Sequence, residues 1–276
     1  MTAYTLAEAL GIVERTVPGV GATVSGSVKD QPEADCASAD GARPPMAYRY
    51  PAPSDQNQAC IAALVAHWSR AYPEAGRAYW SLRCWGILIW KPIYVSVIAV
   101  HRAHCLPSLA GFEQTFAEGW THTARYPAHR PVQGIPTDLI EQAAADINRF
   151  CASALEALSR SIRINVRAAQ GMQADCVLAA LLAAQPASGE GGATTEIEAL
   201  CARWLAALHL DGRSGFFAYR GRDGIPTLEV DRQTCCYHFR RHDGVRCHTC
   251  PRLTLAERIA RQDGTPLDAA CDHPVQ

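Results

Sequence analysis

The sequence predicts a mainly helical α+β protein in which a helical body precedes a compact C-terminal module. Apolar residues recur at helical spacing through most of residues 1–212. Short alternating segments, each broken by turn residues, predict small β-hairpins among the helices. Four of the 12 cysteines fall within residues 235–250. We therefore expect a helical body over residues 1–212 and a cysteine-containing module over residues 213–276.

The N-terminal third predicts three helices and one long loop. An apolar stripe predicts a first helix over residues 5–16. Residues 18–56 are rich in Gly, Pro, Ser, Asp and Ala, which favours a long and partly mobile loop. Two further helices are predicted over residues 57–72 and 74–90. Pro92 is expected to begin a separate apolar segment, because proline interrupts a helix.

The middle of the chain predicts one hairpin and two helices. Residues 112–126 alternate aromatic and polar side chains around a central Glu-Gly pair, which favours a β-hairpin. Thr137 is expected to cap a long helix that continues to about residue 170. Gly171 should separate this helix from another over residues 172–185.

The C-terminal third predicts two helix starts and a second hairpin. A Thr-x-x-Glu capping box at Thr195 predicts a helix that ends near His209, and another at Thr254 predicts a final short helix. Residues 216–231 contain two short alternating runs around an Asp-Gly pair, which is typical of a hairpin. The cysteine-rich segment follows the second of these strands directly.

Charge and hydropathy argue against several classes of partner. The net charge is −1, from 26 basic and 27 acidic residues, so no nucleic acid or anionic membrane is expected as a partner. The most apolar stretch, residues 85–100, is shorter than the ~20 residues of a spanning helix and contains Lys91 and Pro92. We therefore expect buried core there and no transmembrane segment.

Eight cysteines lie singly outside the C-terminal group. Residues 1–16 lack the basic start and the cleavage site of a secretory signal, so disulfides are not expected. The single cysteines are predicted to be reduced, apolar core residues. They are Cys36, Cys60, Cys84, Cys105, Cys151, Cys176, Cys201 and Cys271.

The grouped cysteines have the spacing of a metal or iron–sulfur site. Cys247 and Cys250 are two residues apart, the spacing with which one turn presents two sulfurs to iron or zinc. Cys235 and Cys236 are adjacent, so both can face one centre only where the chain kinks after a strand. Adjacent cysteine ligands are uncommon in small zinc sites, and a larger diiron cluster accepts them more easily.

The pattern Cys-Cys, ten residues, Cys, two residues, Cys resembles the FhuF-type ferric siderophore reductases. Residues 228–234 before the pattern and Pro251 after it are also similar to that family, and the resemblance covers about residues 214–256. It implies a [2Fe–2S] cluster as the cofactor. The implied ligands are Cys235, Cys236, Cys247 and Cys250.

The same resemblance implies an oxidoreductase that passes one electron to the iron of a ferric siderophore and releases ferrous iron in the cytoplasm. Peripheral attachment to the inner membrane stays open. The segment Gly19–Val24 lacks the third glycine of a dinucleotide fingerprint, so no NAD or ATP site is expected. Electrons would therefore come from an external donor, such as a ferredoxin or a reduced flavin.

Two other functions stay open on the sequence. The four cysteines could form a structural zinc site on an interaction protein, a function that the adjacent pair argues against. A cluster-based redox or iron sensor would need a DNA-reading surface, and no basic recognition helix is evident.

Basic residues are in local excess around the four cysteines. They could attract an anionic ferric siderophore, or they could offset the thiolate charge or be simply solvated. The candidate substrate-binding residues are Arg240, Arg241 and Arg246. Nearby histidines could replace cysteine as in a Rieske centre, which four cysteines make unnecessary. These are His238, His242 and His248.

Two further groups outside the module have a functional and a structural interpretation. His101 and His104 have a metal-like spacing, although such a pair more often forms a polar helix end. Several tryptophans could stack on an aromatic siderophore, although core packing is the commoner role. They are Trp80, Trp85, Trp90 and Trp120.

Overall fold

The computed structural model describes residues 3–25, 47–52, 54–185, 193–220, 224 and 226–262. Within these ranges the protein is mainly helical, with small β-sheets and a cysteine-rich region near the C-terminus. The predicted α+β class is confirmed at this level.

Seven α-helices make up most of the described chain. They are α1 (Leu6–Thr16), α2 (Ser54–Ala71), α3 (Gly76–Ile98), α4 (Pro136–Ser161), α5 (Val166–Ala183), α6 (Ala193–Ala207) and α7 (Leu255–Gln262). Short 3₁₀ turns lie at Pro73–Ala75 and His238–Arg240, and a π-helical turn at Ala99–Ala103 extends α3.

Short strands form three small sheets in the same ranges. They are β1 (Thr23–Val24), β2 (Ala47–Tyr50), β3 (Cys105–Leu106), β4 (Phe112–Ala117), β5 (Trp120–Tyr126), β6 (Val132–Gln133), β7 (Phe216–Arg220) and β8 (Pro226–Val230). One sheet has the order β1-β5-β4-β2, with β1 parallel to β5 and the other pairs antiparallel. Antiparallel pairs β3-β6 and β7-β8 form the other two.

Both predicted hairpins are confirmed. β4 and β5 are joined by Glu118 and Gly119, whose φ angles of 51° and 81° suit a two-residue type I′ turn. β7 and β8 form the second hairpin, although Asp223 of its predicted turn lies outside the described residues.

The core is built around α3, which continues through Pro92, so the predicted interruption there is wrong. Proline has no N–H to donate to the carbonyl of Leu88, four residues earlier. Gln114 on β4 is fully buried and donates from Nε2 to that carbonyl at 2.8 Å. A side chain from the sheet thus satisfies the carbonyl that proline leaves free, and the helix continues.

The predicted buried core over residues 85–100 is confirmed, since every residue there except Gly86 is buried. By length and composition the helical stretch over residues 73–103 would be enough to cross a membrane. However, 89% of its most apolar window is buried inside the protein. α3 makes these contacts mainly with α2, α4 and α5.

The long helix predicted from residue 138 to about residue 170 is wrong, because two helices occupy this stretch. α4 ends at Ser161, and Asn165 caps α5 by accepting a 3.0 Å hydrogen bond from the N–H of Ala168. Gly171 lies inside α5 and interrupts nothing.

The predicted helix starts are confirmed in part. Thr254 and Glu257 form the expected capping box before α7, since each side chain accepts a hydrogen bond from the other residue's N–H. Thr137 and Thr195 instead lie inside the first turns of α4 and α6.

The loop predicted over residues 18–56 contains two strands and the start of α2, so the prediction is wrong at its ends, and residues 26–46 lie outside the described ranges. The division into two domains at residue 212 stays a prediction. In the structure β8 packs against α5, so the second hairpin lies on the helical body.

Candidate metal centre

The four grouped cysteines lie in irregular chain between β8 and α7. After Cys235 and Cys236 the backbone turns sharply, because Tyr237 adopts a left-handed conformation with φ of 59°. Cys250 closes a tight turn by donating from its N–H to the carbonyl of Cys247 at 3.1 Å. The thiols of these four residues pack together in one small cluster. The predicted kink beside the adjacent pair is therefore present.

The thiols contact one another in two pairs joined by a third contact. Cys235 is hydrogen-bonded to Cys250, and Cys247 is hydrogen-bonded to Cys236 and to Cys250. These hydrogen bonds hold the pKa of Cys236 and of Cys250 below the ordinary thiol value. The same contacts raise the pKa of Cys235 and of Cys247.

Donors from outside the thiol group also reach the sulfurs. The guanidinium of Arg232 lies 3.5 Å from Sγ of Cys247, and the N–H of Tyr237 lies 3.4 Å from Sγ of Cys235. Hydrogen bonds of this kind stabilise negative charge on sulfur and tune a metal centre that the sulfurs hold.

Arg232 also attaches the cysteine segment to the helical body. Its Nε donates to Oδ2 of Asp175 on α5 at 2.9 Å, and the hydroxyl of Ser214 donates to the other carboxylate oxygen at 2.7 Å. Asp175 and Arg232 are both buried. The pair therefore places a charged, hydrogen-bonded link directly beside the thiols.

Two glycines allow the chain to approach closely around the cysteines. A Cβ on Gly171 of α5 would lie 2.0 Å from Oγ1 of Thr234, which precedes Cys235. A Cβ on Gly244 would lie 2.1 Å from the carbonyl oxygen of His238. Non-bonded atoms cannot approach to either distance. The cysteine segment can therefore lie this close to α5 only because Gly171 has no side chain.

Four thiols are the number of ligands that both a structural zinc site and a [2Fe–2S] centre take. Across the described residues, no three His, Cys, Asp or Glu side chains are arranged as ligands of a metal ion. A structural zinc ion needs four such ligands around one point. A [2Fe–2S] centre takes four cysteines divided between two irons.

A cavity of about 160 Å³ adjoins the thiols. Its lining includes Cys236, Cys247 and His238, together with apolar side chains of α3 as far as Tyr94. Arg83 of α3 also lines it. A small molecule in this cavity would therefore contact two of the four candidate ligands.

The predicted substrate-binding arginines have different surroundings. Arg241 donates to Asp243 from Nε at 2.7 Å and to the hydroxyl of Tyr72 at 2.6 Å. Arg240 is exposed, with its guanidinium 4.7 Å from the ring centre of Tyr237. Arg246 is exposed, and no carboxylate of the described residues forms a salt bridge with it. Two of the three are thus accessible to a ligand.

The alternative histidine ligands lie around the thiols and not among them. His238 is buried edge-on against Tyr79. His242 is exposed and pairs with Glu74 at 3.0 Å. His248 is half-buried beside Cys247. The predicted preference for cysteine over histidine as ligand stays a prediction.

His101 belongs to the packing of the helical body. Its Nε2 accepts a 2.9 Å hydrogen bond from Nε1 of Trp204, and burial lowers the pKa of His101 to about 4. The ring is therefore neutral at pH 7. His104 does not share a ligand group with it.

The remaining candidates from the sequence are mainly structural. Of the single cysteines that the structure describes, all but the half-buried Cys176 are buried, as predicted. Cys36 and Cys271 lie outside the described residues. Trp85 is core, whereas Trp90 lines the cavity and Trp120 stacks on Arg83.

Sequence reasoning missed three residues of this region, Arg83, Gly171 and Asp175. Each lies on a helix of the body, far along the chain from the cysteines. An acidic residue on the otherwise apolar stretch of α5 is the one local signal that could have pointed to Asp175.

No protein-family profile matches this chain, and no solved structure matches it significantly.

Proposed function

We propose that the protein reduces the iron of a ferric siderophore through a [2Fe–2S] cluster held by the four grouped cysteines. The observation that carries the proposal is the packing of four thiols as two pairs joined by one contact, next to a cavity. The proposed ligands are Cys235, Cys236, Cys247 and Cys250. The resemblance of their spacing to the FhuF-type reductases supports the same assignment.

The donor set fits such a cluster on chemical grounds. Cysteine thiolates are the usual ligands of iron–sulfur clusters. Arg232 and the N–H of Tyr237 would offset part of the negative charge that four thiolates bring. When bound, the cluster supplies one electron at a time to an acceptor.

Release of iron follows from the hardness of its ligands. Siderophores hold ferric iron with hard, anionic oxygen atoms. Ferrous iron has a lower charge and is softer, so the same oxygens bind it more weakly. A single electron is therefore enough to loosen the metal, and no general acid or nucleophile is needed.

The chain's own residues would have two tasks in this reaction. Arg232 keeps a positive charge beside the sulfurs and, through Asp175, holds the cysteine segment against α5. Exposed Arg240 and Arg246 would attract an anionic ferric complex to this face. We propose an external one-electron donor, a ferredoxin or a reduced flavin, and a cytoplasmic location.

The test begins with protein purified under anaerobic conditions. We expect a visible absorption spectrum typical of a cluster, with two irons and two sulfides per chain as a [2Fe–2S] centre requires. After chemical reduction, addition of a ferric siderophore should restore the oxidised spectrum and release iron to a ferrous chelator. A Cys201→Ala variant is the matched control, because Cys201 is a buried thiol of α6 outside the group.

Two outcomes would contradict the proposal. A colourless protein that contains zinc would favour a structural zinc site on an interaction protein. A protein with the cluster that no ferric siderophore reoxidises would favour a redox or iron sensor.

A further inference from the structure

Among the described residues Arg83 forms no salt bridge with a carboxylate, and it lies at the cavity beside the thiols. Its Nε is buried and has no hydrogen-bond partner among the described residues. The guanidinium stacks on two indole rings, 4.0 Å from the ring centre of Trp120 and 4.6 Å from that of Trp68. Burial lowers the pKa of Arg83, which reflects the cost of holding this charge away from water.

The other charged side chains that line the cavity already have partners. Asp175 and Arg232 bind each other. Glu229 accepts hydrogen bonds from the N–H of Val230 at 2.9 Å and from Gln262 at 3.2 Å. Arg83 is thus the charged group that a ligand could satisfy, and a guanidinium binds two adjacent anionic oxygens with two parallel hydrogen bonds.

The size and lining of the cavity suit one aromatic ring. Its volume of about 160 Å³ is close to the ~150 Å³ of an engineered apolar cavity that binds benzene. Apart from the charged groups, α3 and α5 line it with apolar and aromatic side chains. Among these are Leu82, Ile87, Trp90, Tyr94, Met172 and Ala179. A whole siderophore is too large for this space, whereas one ring of it is not.

We propose that the cavity binds a single-ring aromatic anion, with the ring among the apolar side chains of α3 and α5 and the anionic oxygens on Arg83. Such a group would lie next to Cys236, which lines the same cavity. Its assignment to the catecholate arm of a ferric siderophore rests on the proposed function. The reductase would then prefer aromatic catecholates over aliphatic hydroxamates.

The test measures direct binding of 2,3-dihydroxybenzoate to the full chain. Binding is measured by quenching of tryptophan fluorescence and by calorimetry. The tryptophans that contact Arg83 or line the cavity provide the optical signal. We expect saturable binding that Arg83→Met weakens at least tenfold and Arg83→Lys weakens less. Arg77→Met is the matched control, because Arg77 is an exposed arginine on the same helix. It should leave the binding constant unchanged.

Two further probes show which oxygen atoms of the ring ligand Arg83 binds, those of a carboxylate or those of a catechol. Benzoate carries the carboxylate without the catechol, and catechol carries the hydroxyls without the carboxylate. Tighter binding of benzoate than of catechol would assign the site to aromatic carboxylates, and the reverse to catecholates. Arg83→Met should weaken whichever of the two binds.

Absence of saturable binding, or equal binding by the Arg83→Met and unchanged proteins, would overturn the proposal. Iron and sulfide content is measured on the same samples, so failure of the cluster and failure of the ring site are seen separately. A colourless protein that binds 2,3-dihydroxybenzoate through Arg83 would keep the ring site and reject the reductase.

Discussion

Arg232 donates a 2.9 Å hydrogen bond from Nε to the carboxylate of Asp175, and the two side chains are only 3% and 9% exposed. One residue precedes the grouped cysteines and the other lies in the middle of α5. Because the same guanidinium reaches Sγ of Cys247, this ion pair links the helical body to the candidate centre. Five predictions rest on this ion pair and on other contacts of the structure.

The first concerns the ion pair itself. Asp175→Asn should lower the free energy of unfolding by about 3–5 kcal/mol, because Arg232 stays buried and loses the carboxylate that its Nε binds. Urea unfolding followed by circular dichroism measures the change. Glu156→Gln is the control, since it breaks an exposed pair with Arg160 that contributes about 0–1 kcal/mol. Equal losses in the two variants would contradict the structural role of the buried pair.

The second concerns the close approach of Thr234 to α5. Glycine to alanine inside a helix normally stabilises it by about 0.5–1 kcal/mol. Gly171→Ala should instead displace the cysteine segment, because its Cβ would meet both Oγ1 and Cβ of Thr234. We expect a lower iron and sulfide content after anaerobic purification.

The paired variant Gly171→Ala with Thr234→Gly removes both clashing atoms and should restore the iron content. Gly11→Ala on α1 meets nothing closer than 3.4 Å and is the neutral control. Full iron content in the single variant Gly171→Ala would show that the segment does not need this close approach.

The third concerns the adjacent cysteine pair. Cys236→Ser should bleach or destabilise the cluster, because a hydroxyl oxygen is a harder ligand than a thiolate and iron–sulfur clusters favour sulfur. Absorption and electron paramagnetic resonance spectra of the reduced protein measure the effect. A spectrum identical to that of the unchanged protein would remove Cys236 from the ligand set.

The fourth concerns the exposed arginines near the thiols. Arg240→Glu with Arg246→Glu should slow reduction of anionic ferric siderophores more at low than at high ionic strength, because salt screens exposed charges. Arg241 is left unchanged, since its contacts with Asp243 and Tyr72 are structural. The control is the same charge change at exposed Arg163 and Arg167 on the body. Rates that match this control at every ionic strength would reject the two arginines as substrate-binding residues.

The fifth concerns His101 and acid stability. The folded pKa of about 4 lies below the unfolded value of ~6.5, so the unfolded chain binds a proton between these pH values and the folded chain does not. Stability should therefore fall as the pH drops from about 6.5 to about 4, by roughly 3 kcal/mol from this group.

His101→Gln can still accept from Trp204 but does not titrate, so this part of the pH dependence should vanish. Free energies of unfolding at several pH values between 7 and 4 measure it. His122→Gln, at an exposed histidine of β5, should leave the pH dependence unchanged. An unaltered profile for His101→Gln would show that another group causes the acid sensitivity.

Features that depend on neighbouring residues could be predicted from the sequence. Two-residue alternation located both hairpins, and the capping box at Thr254 located α7. The run of apolar residues over 85–100 was enough to predict buried core. Cysteine spacing alone brought four residues together as one candidate site, because a short segment can fold back on itself without help from the rest of the chain.

Tertiary structure decided what depends on residues that are distant along the chain. Pro92 does not end α3, because Gln114 comes from β4 to bind the freed carbonyl of Leu88. Asp175 and Arg83 reach the cysteine segment from separate helices of the body. Local periodicity reports which face of a helix is buried, but not which distant charge or carbonyl that face meets. The partners of buried polar groups are therefore fixed by packing.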